Sequence, residues 1–511
     1  MLASASPLIV AAAASTAAAS STSLVAHPNF FFLLTDDQDT LLGGAAHMPA
    51  VRELLVAGGA NFTNAFVHTP ICCPSRSSYL TGRYLQNSLT IQNDAYNGCG
   101  NATWAAGPEQ RTFAVHLQAA GYATSYAGKY LNTYALPNSA HCPSHNAPSC
   151  FTVPPGWSDW HGLQGNSRYY NGTISDNGVM SIHGDRPVED YLPDVFFNHT
   201  RAFVASQLGK IPRVPWLAVL ATPSCHGPFT PAPKHRGAFA GSSAPRTPNF
   251  NASQASIDAK QWLIRQQSPL TAEVVRDIDS VHNQRLETLL SVDEYLKEIF
   301  TMVSNAAELD QTYFLYTSDH GFQLGQHRLP SDKRHLYEHD IRIPFFIAGP
   351  GVTAGSTVDA PVLSIDVAPT LVDLATGAVP DDMDGASFAP LLRAAAPSSG
   401  WRTDFLVSYY GMYGSCGLQK CPPPPASAFH ENDGKNNTYH CVRTLNSPHL
   451  GGADEMYCEF DDDEHFLEFY EHGSDPWQLD NCAAKVPPAK LAGYHARLSK
   501  LRACAGVACR R

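Results

Sequence analysis

Thr69-Pro70-Ile71-Cys72-Cys73-Pro74-Ser75-Arg76-Ser77-Ser78-Tyr79-Leu80-Thr81-Gly82-Arg83 is the stretch around which the rest of the chain can be read. Pro74 fixes the backbone just past the two cysteines. Ser75, Ser77 and Ser78 suit a turn entering a helix, whose free N–H groups attract anions. Arg76 adds a permanent charge with forked donors that match an oxyanion. A thiol presented to an anion at a helix start reads as a nucleophile. Buried thiols or half-cystines are the structural alternative for Cys72 and Cys73.

Outward from this stretch, short apolar runs stop abruptly at polar residues. Phe30-Phe31-Phe32-Leu33-Leu34 ends in Thr35-Asp36-Asp37-Gln38-Asp39, and Trp216 to Ala221 ends in Thr222-Pro223-Ser224-Cys225-His226. Thr312 to Thr317 ends in Ser318-Asp319-His320-Gly321. Such runs predict strands buried on both faces of a parallel sheet. Ligands of open α/β sheets bind beyond the carboxyl ends of the strands, so these acids and histidines are site candidates. A solvated loop or a structural histidine is the plain alternative at each.

Met48 to Ala57 and Phe113 to Ala120 read as helices, Ala60 to Val67 and Tyr122 to Ala127 as strands, and Ile341 to Ile347 closes the pattern. The alternation predicts an α/β fold with a large, mainly parallel sheet flanked by helices. Residues 135–190, rich in Pro, Asn, Gly and Ser, predict long loops at a pocket rim. Arg285 to Ile299 predicts a core-facing helix with Asp293-Glu294 on its solvated side. The texture changes near residue 396. Cys441 to Leu445, Met456 to Phe460 and Phe466 to Tyr470 predict a small antiparallel sheet, closed by a helix over Pro488 to Cys504. The expected organisation is a leader over 1–26, a large domain over 27–395 and a smaller C-terminal domain over 396–511.

The 511 residues suffice for a large core. The net charge of −12 argues against nucleic acid as partner but leaves an anionic substrate open, because only a pocket's local field matters there. No run of 18 or more apolar residues suggests a membrane span. The Ala/Ser-rich leader carries no acid and has small residues suited to a signal peptidase, yet lacks a basic n-region. It reads as a signal peptide, with a disordered leader or a misassigned start as alternatives. Sequons at Asn61, Asn101, Asn171, Asn198, Asn251 and Asn436 support export. The 13 cysteines are odd in number, so one is available for another use. Cys142/Cys150, Cys416/Cys421, Cys441/Cys458 and Cys504/Cys509 are possible local pairs; Cys73, Cys225 and Cys482 could equally be free.

Cys72-Cys73-Pro74-Ser75-Arg76 followed by Leu80-Thr81-Gly82-Arg83 resembles the signature of type I sulfatases. The resemblance extends over Pro28-Asn29 through Asp39, Gly128-Lys129, His226-Gly227-Pro228, Ser318-Asp319-His320-Gly321 and Lys333 with Glu338. Gly128-Lys129-Tyr130-Leu131-Asn132, with Leu131 where arylsulfatases carry histidine, is the form of N-acetylglucosamine-6-sulfatases and of extracellular heparan endosulfatases. Trp262-Leu263-Ile264-Arg265-Gln266 and Tyr457-Cys458-Glu459-Phe460-Asp461-Asp462 resemble the first of these branches. Gln86-Asn87-Ser88 departs from its histidine-containing segment, and the long basic insertion of endosulfatases is absent.

The resemblance implies an alkaline-phosphatase-like sulfatase fold and Cys72 oxidised to Cα-formylglycine by the formylglycine-generating enzyme, with Cys73 at the variable position. It implies one divalent cation, Ca²⁺ by family precedent with Mg²⁺ also open. The implied ligands are Asp36, Asp37, Asp319, His320 and the residue made from Cys72. Arg76 would orient the aldehyde hydrate. Lys129, His226 and Lys333 would neutralise the transferring sulfate, and one of them would protonate the leaving oxygen. Asn132 is a further substrate-binding candidate. The implied substrate is a sulfated carbohydrate, foremost 6-O-sulfated N-acetylglucosamine, or an aryl sulfate; the implied location is the secretory pathway, extracellular or lysosome- or vacuole-like. Sulfate- against phosphate-ester turnover separates this reading from a phosphatase or phosphonate hydrolase of the same superfamily. A carbohydrate-binding homologue without activity would not need every family-matched charge in place.

Overall fold

The computed structural model describes residues 27–137, 139–142, 150–393, 400–411, 437–451 and 453–510. The leader, residue 396, the Cys416/Cys421 pair and Asn436 lie outside them.

In chain order the strands of the main sheet are β1 (Asn29–Thr35), β2 (Ala60–Phe62), β4 (Ala123–Lys129), β5 (Asp159–Leu163), β6 (Thr173–Asp176), β7 (Val179–Ile182), β8 (Trp216–Ala221), β9 (Thr312–Ser318), β10 (Phe345–Ala348) and β11 (Ser356–Val358). They pair in the order β11-β2-β10-β9-β1-β8-β4-β5-β6-β7. The five neighbours β9, β1, β8, β4 and β5 are mutually parallel, while β10, β6 and β7 run against their partners. The continuous apolar runs therefore occupy the centre, as their sequence predicts, and the edges are mixed. A two-stranded piece, β3 (Ala65–Phe66) with β12 (Val362–Leu363), splits the single strand expected over Ala60 to Val67.

Both faces of the sheet are covered. Phe30, Phe32 and Leu34 of β1 point into one core with Tyr79, Phe113, Trp160 and Tyr313, whereas Phe31 and Leu33 point into the other with Phe196, Leu289, Val292 and Phe314. Two-residue alternation along a doubly buried strand requires this division. Truncating Phe31 or Phe32 to Ala would remove a fully buried ring at a cost of ~3–5 kcal/mol. The first core receives α1 (Cys72–Thr81), α2 (Phe113–Ala119), α5 (Val367–Thr376) and α6 (Pro488–Ala503); the second receives α3 (Leu192–Gln207) and α4 (Ala272–Asn305).

The second sheet is antiparallel, β13 (Asp404–Tyr409), β14 (Tyr439–Thr444), β15 (Glu455–Phe460) and β16 (Leu467–Glu471), with α6 packed on β13 and β14. Three of these strands and the helix match the expected segments.

Three expectations need correction. Residues 135–190 are not loop throughout: β5, β6 and β7 lie within them, because Gly178 at positive φ closes a tight hairpin between two four-residue strands. Asp293 is not solvated. It is buried on α4, and its carboxylate accepts the N–H groups of Ala50 and Val51 at 2.9 Å each, capping the helical turn Val51–Ala57. Glu294 does face solvent, paired with Lys234. Cys73 is not a free thiol but bonds Cys99; Cys142–Cys150, Cys441–Cys458 and Cys504–Cys509 also form, and Cys72, Cys225 and Cys482 stay reduced among the described residues.

Candidate active site

Three parallel strands deliver their carboxyl ends to one place. β1 runs out at Thr35, β9 at Ser318 beside it in register, and β4 at Lys129 one strand beyond β8. Asp36, Asp37, Asp319, His320 and Lys129 therefore converge although the two acidic segments are 282 residues apart. Asp37 adopts φ 65°, a left-handed conformation that aspartate tolerates and that turns the chain sharply after the strand. Its N–H donates to Asp319 Oδ1 at 3.1 Å, so each acidic segment fixes the other.

The opening stretch forms α1 as its composition predicts. Ile71 is extended, Cys72 is the first helical residue, and no side chain caps the turn. Gly82 ends the helix at φ 67°, donating to Ser78 O at 2.8 Å, which is the role that glycine fills best. Cys73, bonded to Cys99, anchors the helix start from the side while Asn93 Oδ1 accepts the Cys73 N–H. Cys72 is thereby held pointing at the acidic cluster, with Sγ 3.3 Å from His320 Nε2.

One turn along, Arg76 reaches back. Its Nε donates to Asp319 Oδ2 at 2.8 Å, Nη1 to the carbonyl of Lys129 at 2.7 Å, and Nη2 lies 3.6 Å from Asp36 Oδ2. Lys129 Nζ donates to Asp36 Oδ2 at 2.6 Å. Lys333 Nζ straddles both oxygens of Asp37 at 2.8 and 2.9 Å. His226 Nε2 is 4.0 Å from Asp37 Oδ2, with Nδ1 on the carbonyl of Gly227. The residues flanking Lys333, Asp332 and Arg334, both take positive φ, so the loop is bent at the point where it delivers the ammonium. Asn132 follows Lys129 closely in the chain and is buried, its Oδ1 without a hydrogen-bond partner.

The charges set the protonation of the cluster. Burial pushes the Cys72 thiol up, but Lys129, Lys333 and His320 outweigh it and hold it well below the ordinary thiol range. Burial also opposes ionisation of Asp36, which Lys129, His226, Arg76 and Lys333 reverse, leaving that carboxyl well below its usual value. Asp319 goes the other way: burial and the neighbouring Asp36 charge raise it to about 6. Burial disfavours the His320 cation, yet Asp319, Cys72 and Asp37 raise it to about 9.

The donor set fits a divalent cation. Single ligand atoms from Asp36, Cys72, Asp319 and His320 lie within 4.8 Å of one another, and so do those of Asp36, Asp37, Cys72 and His226. Asp36 Oδ1 is fully buried without any hydrogen bond, an orphan that a cation would satisfy. His320 Nδ1 is engaged by the carbonyl of Gly321 at 2.9 Å, so this nitrogen carries a proton, and Nε2, which faces the cluster, is the one that would ligate a cation in exchange for its own proton.

Several neighbours carry no sequence signal of their own. Ser167, from the loop between β5 and β6, donates its hydroxyl to Asp36 Oδ2. Ser75 donates to the carbonyl of Asp319. Arg285 of α4 is buried and donates to the carbonyls of Asp37 (2.6 Å) and Cys225 (3.3 Å) while resting on the Phe322 ring. It ties the Asp36–Asp37 turn to the His226 loop. Arg285 shares the buried side of α4 with His282, Glu287, Thr288 and Ser291, so its polarity alone does not single it out.

The family model for sulfatases matches residues 28–378. The chain is 39% identical to the N-acetylglucosamine-6-sulfatase of Capra hircus and 38% to that of Homo sapiens, over 92% of its own length and 82% and 83% of theirs. It is 28% identical to an arylsulfatase of Volvox carteri over 91% of this chain and 72% of that one. In fold it is similar to BT4656, solved in complex with its substrate D-glucosamine-2-N,6-O-disulfate, with TM-score 0.66, 23% identity and coverage of 93% and 96%. It is as similar in fold to a phosphonate monoester hydrolase of Agrobacterium radiobacter, with TM-score 0.67, 20% identity and coverage of 93% and 95%. With the family match spanning the whole sheet that builds the acidic cluster, the chain belongs to the sulfatase family and is a sulfuric ester hydrolase.

Proposed function

We propose that this sulfatase removes the 6-O-sulfate of N-acetylglucosamine residues in sulfated glycans, using a formylglycine made from Cys72 and one bound Ca²⁺. The observation that carries the chemistry is the Cys72 side chain at a helix start, 3.3 Å from His320 Nε2 and enclosed by Asp36, Asp319, Lys129 and Lys333. The identity to the goat and human N-acetylglucosamine-6-sulfatases supports the substrate.

Asp36, Asp37, Asp319 and His320 would hold the cation, whose charge supplies stabilisation of the nucleophilic oxygen and of the sulfate oxygens. The aldehyde hydrate derived from Cys72 supplies one hydroxyl to attack sulfur and a second whose deprotonation frees the sulfate. Arg76 orients the hydrate through its anchorage to Asp319 and the Lys129 carbonyl. Lys129 and Lys333, which pair with Asp36 and Asp37, would turn toward the sulfate and spread its charge. His226, partly exposed at the mouth and raised above the ordinary imidazole range by Asp37 and Asp36 against the pull of burial, keeps a proton to give to the departing sugar oxygen. Asn132 would bind the sugar. The four disulfides among the described residues and the sequons suit a secretory compartment, with the formylglycine-generating enzyme met there during maturation. A large domain over 27–395 and a smaller one over 396–511 would divide the chain.

The deciding experiment uses protein made in a host that has the formylglycine-generating enzyme. It should release sulfate from 6-O-sulfated N-acetylglucosamine with kcat/KM above that for an aryl sulfate and well above that for phosphate esters. Preference for the aryl sulfate would favour a broad arylsulfatase instead, the reading that the Volvox relative supports.

A further inference from the structure

At the far edge of the sheet, away from the acidic cluster, a second set of ligating side chains meets. His161 of β5 and Asp176 of β6 are direct cross-strand partners. His199 of α3 covers them, its ring stacked on that of His161 with centroids 3.7 Å apart. One donor atom from each of the three lies within 4.8 Å of the others.

His161 is 4% exposed. Its Nε2 lies 3.1 Å from Asp159 Oδ1, and Asp159 is itself held by Ser125 Oγ at 2.7 Å and Asn177 Nδ2 at 3.4 Å. A neutral imidazole has a single ring proton, and this carboxylate claims it. Nδ1 is then a bare lone pair, buried, without a hydrogen bond and 3.0 Å from Asp176 Oδ1. Two acceptors so close repel each other unless a second proton or a metal ion joins them. Two imidazoles and one carboxylate in front, with a second carboxylate behind the first imidazole, form a donor set for a borderline transition ion rather than for Ca²⁺.

We propose that His161, Asp176 and His199 form a second metal site for a borderline divalent ion such as Zn²⁺, with Asp159 as the outer carboxylate that fixes the His161 tautomer. Coordination at ~2.0–2.2 Å requires the half-buried His199 ring to swing out of the stack. A water fills the fourth position. The ion staples β5 to β6, and the loop joining those strands carries Ser167, whose hydroxyl reaches Asp36. The site thus secures the sheet edge from which one active-site contact is delivered.

The test uses the full-length enzyme in excess Ca²⁺, so that the acidic cluster does not scavenge zinc. Equilibrium dialysis should show one Zn²⁺ bound per chain, and Co²⁺ in its place should give d–d absorption bands of nitrogen and oxygen ligation. Zinc should raise Tm. His199→Gln and Asp176→Asn should each weaken zinc binding about tenfold or more and abolish the Tm shift. Both should keep wild-type circular dichroism and wild-type turnover in zinc-free buffer. Zinc stoichiometry unchanged by both substitutions, or no zinc retained by the wild type, overturns the proposal. So does an NMR spectrum in which His161 carries protons on both ring nitrogens at neutral pH and ignores zinc, for then it is an imidazolium clamped between Asp159 and Asp176.

Discussion

At the residue scale, Cys72 and Cys73 show how neighbouring identical side chains are given opposite fates by geometry. The first points into a field of two ammonium groups and an imidazole; the second is spent on Cys99. Cys72→Ala is expected to be inactive. Cys72→Ser, offering one hydroxyl in place of two, should stall after a single turnover, and mass spectrometry of the peptide carrying residue 72 should show an aldehyde only in the wild type. Cys73→Ser should still be modified but lose stability, because the 26-residue loop to Cys99 is released, an effect of ~3 kcal/mol. Asp319→Asn keeps one oxygen for the Asp37 N–H but loses the acceptor of Arg76 Nε and the charge of a proposed cation ligand. It should lower kcat by ~10²-fold or more and weaken Ca²⁺ binding measured by calorimetry, with the fold retained. Wild-type kcat together with wild-type Ca²⁺ affinity in that variant would remove Asp319 from the ligand set.

At the scale of elements, the parts legible in the sequence were those with a local cause. β1, β8 and β9 declare themselves as uninterrupted apolar runs between turn residues, and α1 by Pro74, its serines and Gly82. The acids at strand ends follow from the same pattern. What stayed hidden depended on contacts made across hundreds of residues. Ser167 looks like any loop serine until β5 brings it beside Asp36, and Arg285 like any polar position on α4. Asp293 misled for the same reason: its periodicity places it beside Leu296 and Val292, but only the fold reveals an uncapped helical turn opposite. Asp293→Ala should therefore destabilise the protein by about 1–3 kcal/mol through two orphaned N–H groups, read as a lower urea midpoint, while kcat is unaffected. Glu294→Ala, losing a half-exposed carboxylate paired with Lys234 and near His235, should shift the midpoint far less.

Across the whole molecule, the two sheets are joined by buried polar contacts rather than by apolar packing alone. Glu338 accepts from Arg443 of β14 at 2.9 Å and sits within 3.4 Å of His472 and 3.6 Å of Arg342. Lys260 Nζ donates to Tyr470 OH and to the carbonyl of Gln478, and lies over the rings of Tyr337 and Tyr470. Burial alone would raise the Glu338 carboxyl, but Arg443, His472 and Arg342 depress it to about 2. A depressed carboxyl stabilises the fold fully above its unfolded value and loses that contribution as pH falls through its folded value. The docking of the small sheet should thus weaken between pH ~4.5 and ~2, by ~3 kcal/mol in all. Glu338→Gln should lose a similar amount at neutral pH and flatten the acid limb of the stability curve; an acid limb identical to wild type would show that other groups control it.

The 248 residues that separate Cys72 from its neighbour His320 also impose a timetable on biosynthesis. In the finished protein Cys72 is 1% exposed, closed in by strand ends that lie far downstream. A ribosome adding ~5–20 residues per second needs roughly 10–50 s to progress from the first of these residues to the second. Throughout that interval β1 has no β9 beside it, and the thiol of residue 72 would be open to the modifying enzyme of the proposed maturation. If residue 72 is converted as proposed, translation speed past it belongs among the determinants of how much active enzyme a cell obtains from each chain.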